Sequence, residues 1–195
     1  MYKWLKDFVD YGFKNMSNTI VNLRDVGEFV NCLSGSNVML EKKLFRGGKI
    51  ESVECFAQVG YPKTLVNLRA SSDKIEKDQG LIQYHFPIAN SIEKYDTQLG
   101  DVRKWLNGVL STLSRDDIKF PVFIHCTSGK DRTGIVVASV LWLLGISEDI
   151  IREEYLLSEG KVSIHSIDMT LKGIKSKINY FNKVSVPQLK NNFLT

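Results

Sequence analysis

The chain is predicted to be an α/β protein, with a central, mostly parallel, twisted sheet of four to five strands flanked by helices. Three observations carry this expectation. Short strand-like stretches, alternating in character over Val38–Phe45 and followed by Thr64–Leu68, Leu81–Ile88 and Val122–Ile124, recur along the chain between stretches of helical periodicity; that order favours a layered domain with crossover helices. Thr64–Leu68 and Val122–Ile124 are nearly continuous apolar runs, as strands covered on both faces are. The 195 residues, 43% of them hydrophobic, are enough for one sizeable core, since a chain of this length buries roughly 70% of its unfolded surface. One domain is expected over 1–195, with an N-terminal extension at about 1–18 and a C-terminal tail at about 186–195.

In chain order, Met1, Trp4, Leu5, Phe8 and Val9 share one face of a predicted helix over Met1–Phe13. Lys3, Lys6, Asp7 and Asp10 interrupt it, so it lacks the apolar core of a signal peptide and is expected to pack on the domain. The Val38–Phe45 strand ends in an Arg46-Gly47-Gly48 turn. A short helix is predicted for Glu51–Val59, closed by Gly60 and Pro62. The Thr64–Leu68 strand ends at Arg69, residues 70–80 read as a polar loop or short helix, and Pro87 limits the Leu81–Ile88 strand. Asp96–Leu113 is amphipathic, with Leu99, Val102, Leu106, Val109, Leu110 and Leu113 on one face. An apolar helix from Gly134 onward stops near Gly145. Ser147 is an N-cap with Glu148 and Asp149 in the first turn, and Ile150, Ile151, Tyr155 and Leu156 bury that helix. A last helix spans about Ser166–Phe181, and the chain after Pro187 is expected to fray.

The net charge of +4 comes from scattered residues. No basic stripe with interleaved aromatics points to nucleic acid, although a modest positive field would draw anionic substrates. Cys32, Cys55 and Cys126 are an odd set without metal or disulfide spacing, which suits a reducing, cytoplasmic setting. Cys32 and Cys55 read as small core residues; a reversible disulfide from one of them to Cys126 would need close approach of the sulfurs. His85, His125 and His165 share no ligand spacing, so neither a metal nor another cofactor is expected. No run reaches the ~18 apolar residues of a membrane span.

The chemistry concentrates between Phe120 and Gly134. A buried strand stops at Cys126, Arg132 follows after five small, polar or charged residues, and an apolar helix begins. A loop placed there sits at a helix N-terminus, where unpaired N–H groups and the dipole favour an anion such as phosphate or sulfate, and successive N–H groups can converge into a nest. The same field stabilises a thiolate at Cys126, while Arg132 supplies a planar fork matched to two phosphate oxygens.

The string His125, Cys126, Thr127, Ser128, Gly129, Lys130, Asp131, Arg132, Thr133, Gly134 resembles the signature loop of the cysteine-dependent protein tyrosine phosphatase superfamily. It is similar to the branch that holds bacterial tyrosine phosphatases and dual-specificity enzymes that also accept phosphoinositides. Ile20–Val26 resembles the opening segment of the same bacterial group, and Arg46-Gly47-Gly48 its arginine turn. The resemblance implies a phosphatase-like fold and a phosphocysteine intermediate: Cys126 as nucleophile, Arg132 and the loop N–H groups of Thr127, Ser128, Gly129 and Lys130, continuing to Gly134, as the substrate clamp, and Thr133 hydrogen-bonded to the departing sulfur. His125 would support the loop through a backbone contact or simply be a core histidine. A general acid is also required. Asn90 stands where relatives carry that aspartate, and an amide is no acid. Asp131 is then the preferred donor, with a loop-propping salt bridge as its alternative; Asp96 is the second candidate, with an ordinary helix N-cap as its alternative. Lys130 is either a solvated lysine or a cation favouring substrates with more than one phosphate.

The leading expectation is therefore a protein tyrosine phosphatase, with a dual-specificity enzyme as its broader form and a phosphorylated protein as substrate; the alternative is a phosphoinositide phosphatase. A non-catalytic phosphate-binding module is disfavoured because Cys126, Arg132 and Thr133 are all present, and a sulfurtransferase because its loop is shorter. A P-loop kinase fails on spacing, with Asp131 after Lys130 and Ile124 where glycine is required.

Overall fold

The computed structural model describes residues 20–51, 53–75, 80–89 and 91–195, without the side chains of Ile92 and Glu93. The predicted Met1–Phe13 helix and Asn90 lie outside the described residues. The first strand, β1 (Arg24–Asp25), leads straight into helix α1 (Val26–Ser34). Asp25 caps α1 by accepting from Gly27 N at 3.0 Å, and Gly35 closes it in the left-handed region at φ 68°. Sequence reasoning missed α1, although a capping aspartate, a spaced apolar set and a terminal glycine all mark it.

β2 covers Leu44–Gly47, later than the predicted Val38–Phe45. The earlier residues pair elsewhere: Met39 bridges to Leu194 and Leu40 N donates to Phe193 O at 2.8 Å. Glu51–Val59 is not a full helix but a single 3-10 turn over Phe56–Val59, in which only Val59 is buried, too little apolar surface to hold a longer helix. β3 (Thr64–Asn67) and β4 (Ile82–His85) follow, then a 3-10 turn over Ile92–Tyr95 and helix α2 (Gly100–Leu113). This helix starts later than the predicted Asp96. Asp96 Oδ1 accepts from Gln98 N in a local turn, and Thr97 Oγ1 donates to Thr170 O, which holds the chain off the helical path. Leu99, expected on the buried face, is 43% exposed.

β5 is Val122–His125 and α3 is Asp131–Leu144, ended at Gly145 as expected. α4 (Glu148–Leu156) has the expected Ser147 cap. α5 spans Ile164–Lys175, shorter than Ser166–Phe181, with Tyr180 and Phe181 buried in the turns beyond it. The segment expected to fray is helix α6 (Val186–Phe193). Leu189 and Phe193 are fully buried, Phe193 meets Phe120 edge-on at 5.5 Å, and Pro187 sits in the first turn, where its missing N–H breaks no helical bond.

The sheet order is β1-β2-β5-β3-β4. β1 is antiparallel to β2, and the other pairs are parallel. The fold is thus the mixed, mostly parallel, helix-flanked sheet that the alternation predicts. β5 is central, and its side chains alternate between two cores. Val122 and Ile124 join the larger one with α2 and α3, while Phe123 joins Phe45, Leu65, Val59 and Leu23 on the opposite face. A strand buried on both faces cannot slip without exposing one set, so the residue that follows β5 is fixed in place.

Candidate active site

That residue is Cys126, 1% exposed at the carboxyl end of the central strand, where open parallel sheets place their ligands. The preceding His125 is wholly buried; its Nε2 lies 2.9 Å from Asp73 Oδ2 and its Nδ1 3.4 Å from Cys126 O. The expected backbone contact is therefore present, supported by an acidic partner that sequence reasoning missed.

The loop from Thr127 to Lys130 is tied from behind at three carbonyls. Thr127 O accepts from Lys49 N at 3.1 Å, Ser128 O from Asn22 Nδ2 at 2.7 Å, and Gly129 O from Arg46 Nη2 at 2.8 Å. Each peptide is planar and trans, so pulling these carbonyls outward turns the following N–H groups of Ser128, Gly129 and Lys130 the other way, into an anion nest. Gly129 is required here: at φ +67°, an added Cβ would lie 2.3 Å from the Gly47 carbonyl carbon.

The anchors are themselves fixed. Asn22 Oδ1 accepts from Glu159 N at 2.6 Å. Arg46 Nη1 lies 2.6 Å from Glu154 Oε2, and Arg24 Nε 2.8 Å from Glu154 Oε1, in a triad of essentially no exposure. Burial pushes the Glu154 carboxyl up, but the two guanidiniums outweigh it and hold it below its ordinary value. Burial also brings the Arg24 guanidinium down to about 10. Glu154 follows Arg152 and Glu153 in the sequence, which reads as an exposed charged face and hides its burial; pairing it with Arg24 and Arg46 needed the fold.

Arg132, in the first turn of α3, is 4% exposed. Nη2 donates to Thr127 Oγ1 at 2.9 Å and Nη1 to Leu68 O at 3.3 Å, while Nε is buried without a partner among the described residues. The fork is thus aimed from α3 across the loop with a donor to spare. Thr133 Oγ1 is likewise buried, without a hydrogen-bond partner among the described residues, and bears electrostatically on the Cys126 thiol. Burial pushes the Cys126 thiol up, but the Thr133 hydroxyl and backbone N–H, the Arg132 charge and the Gly129 N–H outweigh it, so the thiol lies below its ordinary value. Gly134 leaves room for a ring: a Cβ there would come within 2.8 Å of Tyr155.

Asp131 opens α3, and its Oδ1 accepts from the Tyr95 hydroxyl, which lies 2.9 Å from the Tyr155 hydroxyl. Asp96, the other acid candidate, is engaged with its own turn at Gln98. Lys130 turns toward the 158–161 segment, donating to Lys161 O at 3.0 Å. A cation that sequence reasoning missed, Lys94, is 6% exposed and donates to Ser91 O at 2.7 Å. Burial lowers its pKa; Asp131 and Cys126 act against that, and Arg132 and Lys130 with it. Cys55 is exposed and Cys32 half-buried, so neither is the core residue expected. Among the described residues no group of three or more His, Cys, Asp or Glu side chains could hold a metal, and no helix is long and apolar enough to cross a membrane.

A family model described as the tyrosine phosphatase family matches residues 16–190. The triple specificity protein phosphatase PtpB of Mycobacterium tuberculosis is 52% identical over 42 residues, which span 22% of this chain and 15% of that protein. Among solved structures, the core catalytic domain of the PP-IP phosphatase SIW14 from S. cerevisiae, in complex with citrate, aligns with a TM-score of 0.51 at 18% identity, covering 68% of this chain and 83% of that one. At that identity the likeness speaks to the fold.

Proposed function

The chain belongs to the tyrosine phosphatase family, and from that premise we propose that it hydrolyses phosphate monoesters, phosphotyrosine in proteins foremost, through a phosphocysteine. The observation that carries this reading is the buried Cys126 thiol, held below its ordinary pKa at the start of a loop three of whose carbonyls are drawn outward. The Cys126 thiolate attacks phosphorus in line, forming the S–P bond as the P–O bond to the leaving group breaks. The loop N–H groups and Arg132 hold the equatorial oxygens, where charge redistributes. Asp131 gives its proton to the leaving oxygen and then takes one from the water that releases phosphate, while Thr133 hydrogen-bonds the departing sulfur. Asp131 is preferred to Asp96 because it stands on the loop itself. With its nucleophile needed in the reduced state and Cys32 and Cys55 free, a cytoplasmic setting suits the enzyme.

A second substrate class, phosphoinositides, is favoured by Lys94, a buried cation electrostatically linked to Cys126, Arg132 and Asp131 and lining a cavity of about 320 Å³ with Ile88, Ala89 and Val102. The dual-specificity reading extends the first class to phosphoserine and phosphothreonine. The test is turnover of phosphotyrosine, phosphoserine and phosphothreonine peptides and of inositol lipids at equal concentration, by the parent and by Cys126→Ser. Faster turnover of the phosphotyrosine peptide, abolished in the variant, is expected; parent-level hydrolysis by Cys126→Ser would overturn the assignment of the nucleophile.

A further inference from the structure

We propose that Tyr95, itself held by Tyr155, is a positioning residue for the general acid: its hydroxyl occupies Asp131 Oδ1 and so directs the acidic proton to Oδ2. The inference rests on the reading of Asp131 as the acid. Sequence reasoning gave Tyr95 no role, and it sits 36 positions from Asp131 in the chain.

A tyrosine hydroxyl has one hydrogen to donate. Toward a carboxylate, which only accepts, Tyr95 must be the donor at Oδ1. Its hydrogen is then spent, so at the 2.9 Å Tyr95–Tyr155 contact Tyr155 is the donor. The chain of donation runs from Tyr155 through Tyr95 to Asp131. When Asp131 takes up a proton, a donor already seated on Oδ1 opposes protonation there, and Oδ2, which has no hydrogen-bond partner among the described residues, carries it. In the first step that proton passes from Oδ2 to the leaving oxygen as the P–O bond breaks. In the second, Oδ2 accepts one from the attacking water. The tyrosine protons stay in place throughout: burial, with the Asp131 bond, pushes the Tyr95 hydroxyl far above its ordinary value, so it remains a donor across the working range.

The pair is built in rather than incidental. Tyr95 and Tyr155 are 3% and 1% exposed, and their rings meet edge-on at 6.5 Å. Gly134 in the signature loop is the space that the Tyr155 ring occupies. Arg46 from β2 and the Ser166 side chain of α5 bear on Tyr155, while Cys126 and Lys130 of the loop and Arg132 of α3 bear on Lys94, on the same turn as Tyr95. None of them hydrogen-bonds the Asp131 carboxylate among the described residues.

The test compares phenyl phosphate, whose leaving phenoxide needs a proton, with p-nitrophenyl phosphate, whose leaving group needs it far less. Asp131→Asn is expected to lose on the order of a hundredfold more kcat/KM on phenyl than on p-nitrophenyl phosphate. Tyr95→Phe is expected to show the same discrimination at about tenfold, with the basic limb of its phenyl phosphate pH profile displaced and inhibition by inorganic phosphate unchanged. Equal losses on both substrates for Tyr95→Phe, beside clear discrimination by Asp131→Asn, would overturn the positioning role. No discrimination by Asp131→Asn would instead overturn the acid itself. If Tyr95→Phe melts below the assay temperature, Tyr155→Phe, which removes the donor to Tyr95, carries the comparison at about fivefold; equal losses there count against the proposal in the same way.

Discussion

Replacing Glu154 by glutamine tests whether buried charge holds the loop. The carboxylate bridges Arg24 Nε at 2.8 Å and Arg46 Nη1 at 2.6 Å, and all three side chains are within 1% of full burial. Glutamine keeps the shape but leaves two guanidiniums without a counter-charge, and removing one partner of a buried pair costs about 3–5 kcal/mol. Against the usual ~5–15 kcal/mol of domain stability, that is a large fraction. Urea unfolding at neutral pH should show the midpoint falling sharply with an unchanged slope. Because Arg46 also holds Gly129 O, the turnover of the variant that remains folded should fall as well. The pH dependence has a definite sign. The folded Glu154 carboxyl lies below its ordinary value, so its contribution is fully present above the unfolded value of roughly 4.3 and is lost as pH falls through the folded pKa; the glutamine variant should lack that acid-side loss. A stability change under about 1 kcal/mol would refute the reasoning.

Other outcomes follow from single contacts. Burial lifts the Asp25 carboxyl from 3.8 to about 6, so the folded state binds its proton more tightly. Its contribution of about 3 kcal/mol is present below roughly pH 4 and lost as pH rises through 6, and denaturation curves of Asp25→Asn, which can keep the cap on Gly27, should miss this loss. Gly129→Ala must move the Gly47 carbonyl and abandon φ +67°; activity on p-nitrophenyl phosphate should fall by at least about a hundredfold, an effect of the size seen when a transition-state donor is removed, and near-parent rates would contradict the nest. Thr133→Val removes a hydroxyl that helps hold the thiol down, so the pH midpoint of iodoacetamide inactivation should rise; an unmoved midpoint would count against a role for Thr133 at the sulfur.

The sequence was most legible where local and tertiary demands coincide. Val122–Ile124 is apolar at every position because β5 is covered on both faces, and Gly145 and Ser147 mark helix ends by chemistry that needs no partner. It was less legible where a distant contact decides. Val38 and Met39 look like strand, yet Met39 pairs with Leu194 at the far end of the chain. Pro187 and its polar neighbours suggest a frayed end, yet two buried side chains, Leu189 and Phe193, are enough to dock α6. Thr97, bonded to Thr170 O, delays the start of α2 against its own periodicity. The site divides in the same way. Cys126, Asp131, Arg132 and Thr133 lie in one short stretch and are readable together, whereas Asn22, Arg46, Glu154, Asp73 and Tyr95 bear on the loop and its flanks from afar, Tyr95 reaching Asp131 across 36 positions and Asn22 reaching Ser128 across 106. Pairings at that separation are set by the sheet order and leave no local pattern.

The most direct measurement is chemical trapping of the intermediate. Mixing the enzyme with p-nitrophenyl phosphate, quenching within a turnover and mapping the peptides by mass spectrometry should find one phosphoryl group on Cys126, more abundant in Thr133→Val if the hydroxyl assists the departing sulfur. Turnover without any phosphorylated Cys126 peptide, or with the phosphoryl group on another residue, would contradict the proposed mechanism.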